Sequence, residues 1–181
     1  TFGIWFEPEM INEDSDIHRA HPDWVLGSED QTLGRQQKAL NMALPAVRDY
    51  LYDRMSAILR DHQIDYIKWD HNRVLPMPDA SQTRGSYALI DHLRADFPHV
   101  EIESCASGGV RIDFGILQRT QRVWLSDSND ALERLRIQHD AALFLPLSVT
   151  GSHVGPRHCH TSGRHLDISF RAWVAAQRHM G

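Results

Sequence analysis

Each strand-length apolar run in this chain ends in charge, and that recurrence limits the folds open to it. Residues 3–6 run into Glu7 and Glu9, residues 64–70 close on Asp70 with Asn72 just beyond, and residues 100–105 carry Glu103 and Cys105. Residues 123–127 close on Asp127, and residues 145–150 lead to His153. Between these runs the spacing turns helical. Pro45 suits a first helical turn, after which Val47, Leu51, Met55, Ile58 and Leu59 share a face up to about Asp61. Leu89, Ile90, Leu93 and Phe97 mark a second helix that Pro98 helps to end, after a Pro-containing loop at 74–80. Leu132, Leu135, His139, Ala142 and Leu143 stripe a third, and residues 168–179 read as another. A short extended piece is expected at 37–43.

Strands separated by helices pair in parallel through right-handed crossovers. Polar residues gathered at the C-terminal ends of several strands are the pattern of a β/α barrel's upper face. A doubly wound sheet would concentrate them at one switch point, and the sequence has no GxGxxG or GxxxxGK[ST] phosphate loop. The expected fold is α/β, part of a (β/α)8 TIM barrel.

The chain's 181 residues fit one domain with a sizeable core. Its net charge of −5 argues against nucleic acid or an anionic membrane as the main partner. No apolar run is long enough to predict a transmembrane helix. The opening Thr1-Phe2-Gly3 has no initiator Met, basic n-region or h-region, so the chain is expected to start inside a domain without a targeting signal. Cys105 and Cys159 form no CxxC, and a reduced, cytoplasmic setting is the simpler expectation.

Along a strand side chains alternate, so Lys68 and Asp70 project to one face and Ile67 and Trp69 to the other. A lysine beside a strand-end carboxylate favours its ionised form, which is the form a nucleophile needs. An isolated KxD is more often a structural ion pair, but here a second carboxylate follows. Of the two aspartates after the fourth run, Asp130 with Glu133 matches a capping box. That leaves Asp127 at the strand end for chemistry. Two carboxyls across a pocket are the minimum kit for cleaving a glycosidic bond.

Other clusters are weaker. The small-residue run 104–109 offers Gly108 for close backbone approach to a ligand, and Cys105 lacks a marked histidine base for a thiol nucleophile. His153, His158 and His160 with Cys159 are the best metal candidates and leave a metal-dependent barrel hydrolase as an alternative. Adjacent ligands at 158–160 converge poorly on one ion, so no metal and no cofactor is expected. Trp5 and Trp69 are core by default, or present a flat apolar face to a sugar ring.

Taken in order, these motifs resemble the family 36 glycoside hydrolases, chiefly retaining α-galactosidases. Phe2-Gly-Ile-Trp-Phe-Glu-Pro-Glu-Met10 looks like the family's third barrel strand, continued through Ser15-Asp16 and His21-Pro-Asp-Trp-Val-Leu26. Gly34-Arg35 looks like its sugar-contacting arginine. Tyr66-Ile-Lys-Trp-Asp70-His-Asn-Arg73 resembles the nucleophile motif of the fourth strand. Glu103-Ser-Cys105-Ala-Ser-Gly-Gly109 with Arg111 resembles the fifth-strand motif, and residues 124–131 the acid/base motif of the sixth.

The resemblance implies that Asp70 is the nucleophile and Asp127 the general acid/base. It implies that Lys68, Arg35, Cys105 and Gly108 bind galactose hydroxyls, with Trp5 lining the pocket and Asn72 counted among the substrate-binding residues. Ala106 and Val110 interrupt a glycine run that many members have, and the stretch from Trp24 to Arg35 is shorter than the family's; both bear on aglycone preference. The same residues would also suit an α-N-acetylgalactosaminidase, a transgalactosylase or an inactive sugar-binding fragment. By the same resemblance residues 1–181 are a partial catalytic barrel, strands three to seven. The family's N-terminal β-sandwich, first two and last barrel strands and C-terminal sheet lie outside it. The isolated chain is therefore expected to be inactive, and the full-length form a homo-oligomer acting on α-galactoside oligosaccharides.

Overall fold

The computed structural model describes residues 1–77 and 79–180, so Pro78 in the expected 74–80 loop lies outside the described residues. The chain divides into two compact units, 1–102 and 103–181.

In the first unit, β1 (Gly3–Phe6) leads into an excursion before the barrel-like alternation resumes. This excursion holds β2 (Met10–Asn12), the short α1 (Asp16–Ala20) and β3 (Gln37–Ala39), which pairs antiparallel with β2. Ser15 caps α1 by accepting the His18 N–H at 3.3 Å. The expected extended piece at 37–43 is thus a three-residue strand. Next, α2 (Pro45–Asp61) buries Val47, Leu51, Met55 and Leu59 at four-residue intervals, as the sequence spacing predicts. It leads to β4 (Tyr66–Trp69), which lies parallel to β1 with Trp5 in register with Lys68.

The helix α3 (Ala80–Asp96) opens on Asp79, whose carboxylate accepts the N–H groups of Ser81 and Gln82. Leu89, Ile90 and Leu93 are buried, and Phe97 follows. A Cβ added to Gly85 would lie 2.0 Å from the Met42 carbonyl oxygen, so only glycine lets α3 cross that backbone. Gln82 seals the crossing, accepting from Met42 N–H at 2.8 Å and donating to the Leu40 carbonyl at 3.0 Å. The first unit ends at Ile102, in the first half of β5 (Glu101–Ser104), where Glu101 N–H bonds the Asp65 carbonyl at 2.9 Å.

In the second unit, β5 pairs in parallel with β6 (Arg122–Trp124), which follows the single-turn α4 (Phe114–Leu117). Beyond β6 lie α5 (Ala131–Ala141), β7 (Thr150–Ser152), α6 (Ile168–Ala176) and β8 (His179–Met180). β7 pairs in parallel with both β6 and β8.

Three expectations change here. The fifth run is not a strand at 145–150. Pro146 leads into a 3₁₀ turn over Leu147–Val149, Thr150 Oγ donates to the Leu147 carbonyl at 3.1 Å, and only Thr150–Ser152 extends. The terminal helix stops at Ala176, and His179–Met180 adds a sixth parallel strand to the five expected. The expected apolar stripe of α5 also faces the wrong way. Leu132 and Leu135 are exposed, whereas Ala131, Arg134 and Gln138 are buried. Polar side chains can take the inward face because each has a backbone partner there. Gln138 donates to the Val174 carbonyl at 3.0 Å, and Arg134 bonds two carbonyls.

Candidate active site

Asp70 sits one residue past the end of β4, its N–H bonded to the Phe6 carbonyl at 2.8 Å. Three donors converge on its carboxylate. Oδ2 accepts the Trp5 indole N–H at 3.1 Å and the Asn72 amide at 2.6 Å, while Oδ1 accepts the His71 backbone N–H at 2.8 Å. A carboxylate surrounded by N–H donors is held in one orientation. Lys68 lies two residues back on β4, half-buried and beside Trp5. Trp5 is 53% exposed, so its ring keeps an open face while its nitrogen serves Asp70. Asn72, expected to bind substrate, makes a direct contact with Asp70 itself.

Arg35 is not brought to this group. It sits exposed in the turn before β3 with φ 53°, followed by Gln36 at φ 61°. The residue that links this loop to the strand end is Arg73. Its guanidinium reaches Gln31 Oε1 at 2.6 Å, the Thr32 carbonyl at 2.9 Å and the Gln37 carbonyl. Arg73 closes the motif that follows β4, but nothing in the sequence signals partners some forty residues upstream.

In the second unit the strand expected over 123–127 ends at Trp124, so Asp127 is exposed three residues past β6 rather than at its end. Its Oδ1 accepts the Trp124 indole N–H at 3.0 Å, and the Cys105 thiol approaches the same oxygen at 4.0 Å. Gly108 holds φ 88°, and a Cβ there would fall 2.9 Å from Ser126 Cα. Gly108 therefore packs against the backbone that leads to Asp127. Asp130 is the N-cap of α5, as the pattern predicts, accepting from Leu132 and Glu133 N–H at 2.9 and 3.3 Å. The reciprocal half of the capping box is absent, because Glu133 accepts from Ser128 Oγ at 2.8 Å instead. Asp130 is fully buried and pairs with Arg164. Burial pushes its carboxyl up, but bonds from Ser162, Arg164 and the two backbone N–H groups outweigh this and hold it below the ordinary range.

Residues 1–181 match the melibiase family model. The chain belongs to the melibiase family. It is 51% identical to an alpha-galactosidase of Escherichia coli over 189 aligned residues, covering 99% of this chain and 27% of that protein. Among solved structures it resembles the galactosidase domain of the alpha-galactosidase-sucrose kinase AgaSK, with TM-score 0.94 and 37% identity over 100% of this chain and 26% of that one. A variant of the alpha-galactosidase AgaA from Geobacillus stearothermophilus, in complex with raffinose, aligns with TM-score 0.90 and 34% identity, covering 100% and 27%. The chain therefore spans about a quarter of the length of the relatives it matches. Its parallel α/β architecture is part of a TIM barrel.

The remaining candidates in this melibiase-family chain have separate partners. His153 bonds Asn129 Oδ1 at 2.7 Å and stacks on Trp124, with centroids 4.8 Å apart. His158 stacks on His165, His160 is exposed, and Cys159 meets the Thr161 hydroxyl at 3.2 Å. Among the described residues, no group of three or more His, Cys, Asp or Glu side chains is placed to hold a metal ion. Both cysteines are free and buried, and no described helix is long and apolar enough to cross a membrane.

Proposed function

We propose that this chain supplies the two catalytic carboxylates of a retaining α-galactosidase. The observation that carries the reading is the contrast between them. Asp70 is buried and held by three N–H donors, whereas Asp127 is exposed with a single close donor on one oxygen. A nucleophile must stay ionised and fixed, while an acid/base must exchange a proton with leaving group and water. The E. coli relative and the raffinose held by the AgaA variant favour α-galactosides as the substrate class.

In the first step an Asp70 oxygen attacks the anomeric carbon. The bond to the leaving oxygen breaks, and that oxygen takes the proton of Asp127. In the second step Asp127 removes a proton from water. The water oxygen attacks the anomeric carbon, the ester bond to Asp70 breaks, and galactose leaves with its configuration kept. Lys68 and Trp5 border the nucleophile and serve as sugar contacts. Cys105 and Gly108 border the acid/base. Arg35 lies in the exposed turn before β3 and is the further sugar contact that this reading includes.

The test uses a complete catalytic polypeptide carrying these residues. Aryl α-galactoside, α-N-acetylgalactosaminide and β-galactoside are assayed side by side, and the first-formed sugar is read by NMR. An α-configured galactose is expected, and a β-configured first product overturns the retaining assignment. With Asp70→Ala, turnover is abolished, and added azide yields the galactosyl azide of inverted configuration.

A further inference from the structure

We propose that Arg134 is a positioning residue for Asp127, acting through Trp124 and the Ser126 carbonyl. This rests on reading Asp127 as the acid/base.

Arg134 lies in the first turn of α5, on the face that hydropathy assigns to solvent, and is 4% exposed. Its guanidinium donates to the Ser126 carbonyl at 2.6 Å and to the Gly151 carbonyl, on the neighbouring strand β7, at 2.9 Å. The same group sits 4.6 Å over the Trp124 ring, and Trp124 donates to Asp127 Oδ1 at 3.0 Å. One cation therefore holds the peptide immediately before Asp127 and the ring that anchors its carboxylate.

Burying a guanidinium is costly unless its donors are satisfied. Burial holds the Arg134 guanidinium below its ordinary range, and the negative charges of Glu103 and Asp127 offset this only in part. A hydrophobic residue would fill the same space without that cost. What an arginine adds is a planar fork that ties two carbonyls and a ring into one geometry. Proton transfer demands such geometry, since the acid must lie within hydrogen-bond reach of the leaving oxygen. Asp127 stands exposed in the segment after β6 and has no other close anchor among the described residues.

The test separates positioning from simple stability by leaving-group dependence. A dinitrophenyl α-galactoside needs no proton on its leaving oxygen, whereas methyl α-galactoside does. In the complete polypeptide, Arg134→Lys and Trp124→Phe are each compared with wild type and with Asp127→Ala. The expected result is a fall in kcat/KM on the methyl glycoside at least about tenfold larger than on the dinitrophenyl one. Azide should also raise kcat on the activated substrate. Equal falls on both substrates, without azide rescue, overturn the inference even if Asp127→Ala shows the full pattern. If Asp127→Ala itself shows no leaving-group dependence, the acid/base reading fails instead. Should Arg134→Lys not fold, Arg134→Gln replaces it, because it removes the charge over the Trp124 ring and the second carbonyl bond while keeping one donor.

Discussion

Ser86 on α3 donates to Glu9 at 2.7 Å across 77 residues of sequence. The same buried carboxylate accepts the Trp69 indole N–H at 3.3 Å and lies 3.5 Å from His71 Nδ1. Glu9 thus ties Trp69, the residue before Asp70, to the helix behind it, and lies close to His71 on the other side. Glu9→Ala would strand the Trp69 indole donor in the core, while Ser86 keeps the Gln82 carbonyl at 3.2 Å, at a cost of about 1–3 kcal/mol. Glu9→Gln keeps volume and an acceptor and should cost clearly less. Urea midpoints of the complete polypeptide check this, and equal shifts for the two variants would remove the acceptor role.

Trp5→Phe deletes one donor to Asp70 and keeps an aromatic face. Hydrogen bonds to charged groups contribute about 1.5–3 kcal/mol, so kcat/KM should fall by about ten- to a hundredfold. Unchanged kinetics would show that the Trp5–Asp70 bond has no bearing on the reaction.

Gly108 and Gly163 both hold positive φ, at 88° and 71°, but only Gly108 is crowded. A Cβ at Gly163 meets nothing within 4 Å, so Gly163→Ala should cost only the backbone strain, about 1–2 kcal/mol, with kcat intact. Gly108→Ala must in addition push the Ser126 backbone away and should lower kcat. Thermal melts and initial rates on the two variants distinguish the cases. A normal kcat for Gly108→Ala would refute the coupling to Asp127.

Asp130 and Asp127 should separate stability from activity. The Asp130 carboxyl is held below its ordinary value in the folded chain, so its contribution is present above the unfolded value, about pH 4. That contribution is lost as pH falls through the folded one. Asp130→Asn should therefore melt lower than wild type at pH 7, with the gap closing below about pH 4. Asp127→Asn should melt like wild type and lose activity. If Asp127→Asn loses no more activity than Asp130→Asn, the acid/base has been assigned to the wrong carboxylate.

Much of this was legible in the chain because the signals are local. Period-two alternation places Asp70 opposite Trp69 on β4, and the Asp130 cap is set by N–H groups two and three residues away. The four-residue spacing on α2 likewise picks out Val47, Leu51, Met55 and Leu59 as core. The supports of the site were not legible. Nothing in the sequence places the Asn72 amide on Asp70, and Arg73 reads as a terminal charge until the 31–37 loop folds onto it.

By itself, then, the sequence determined where apolar runs give way to carboxylates and which aspartate caps α5. Each of these depends on residues within a few positions of one another. Only the tertiary structure decided that α5 turns Arg134 inward and Leu132 outward, and that Glu9 holds Trp69, the residue before Asp70. A polar side chain is buried only where distant groups complete its hydrogen bonds. Those partners, the Gly151 carbonyl for Arg134 and Ser86 for Glu9, come within reach only when the chain has folded.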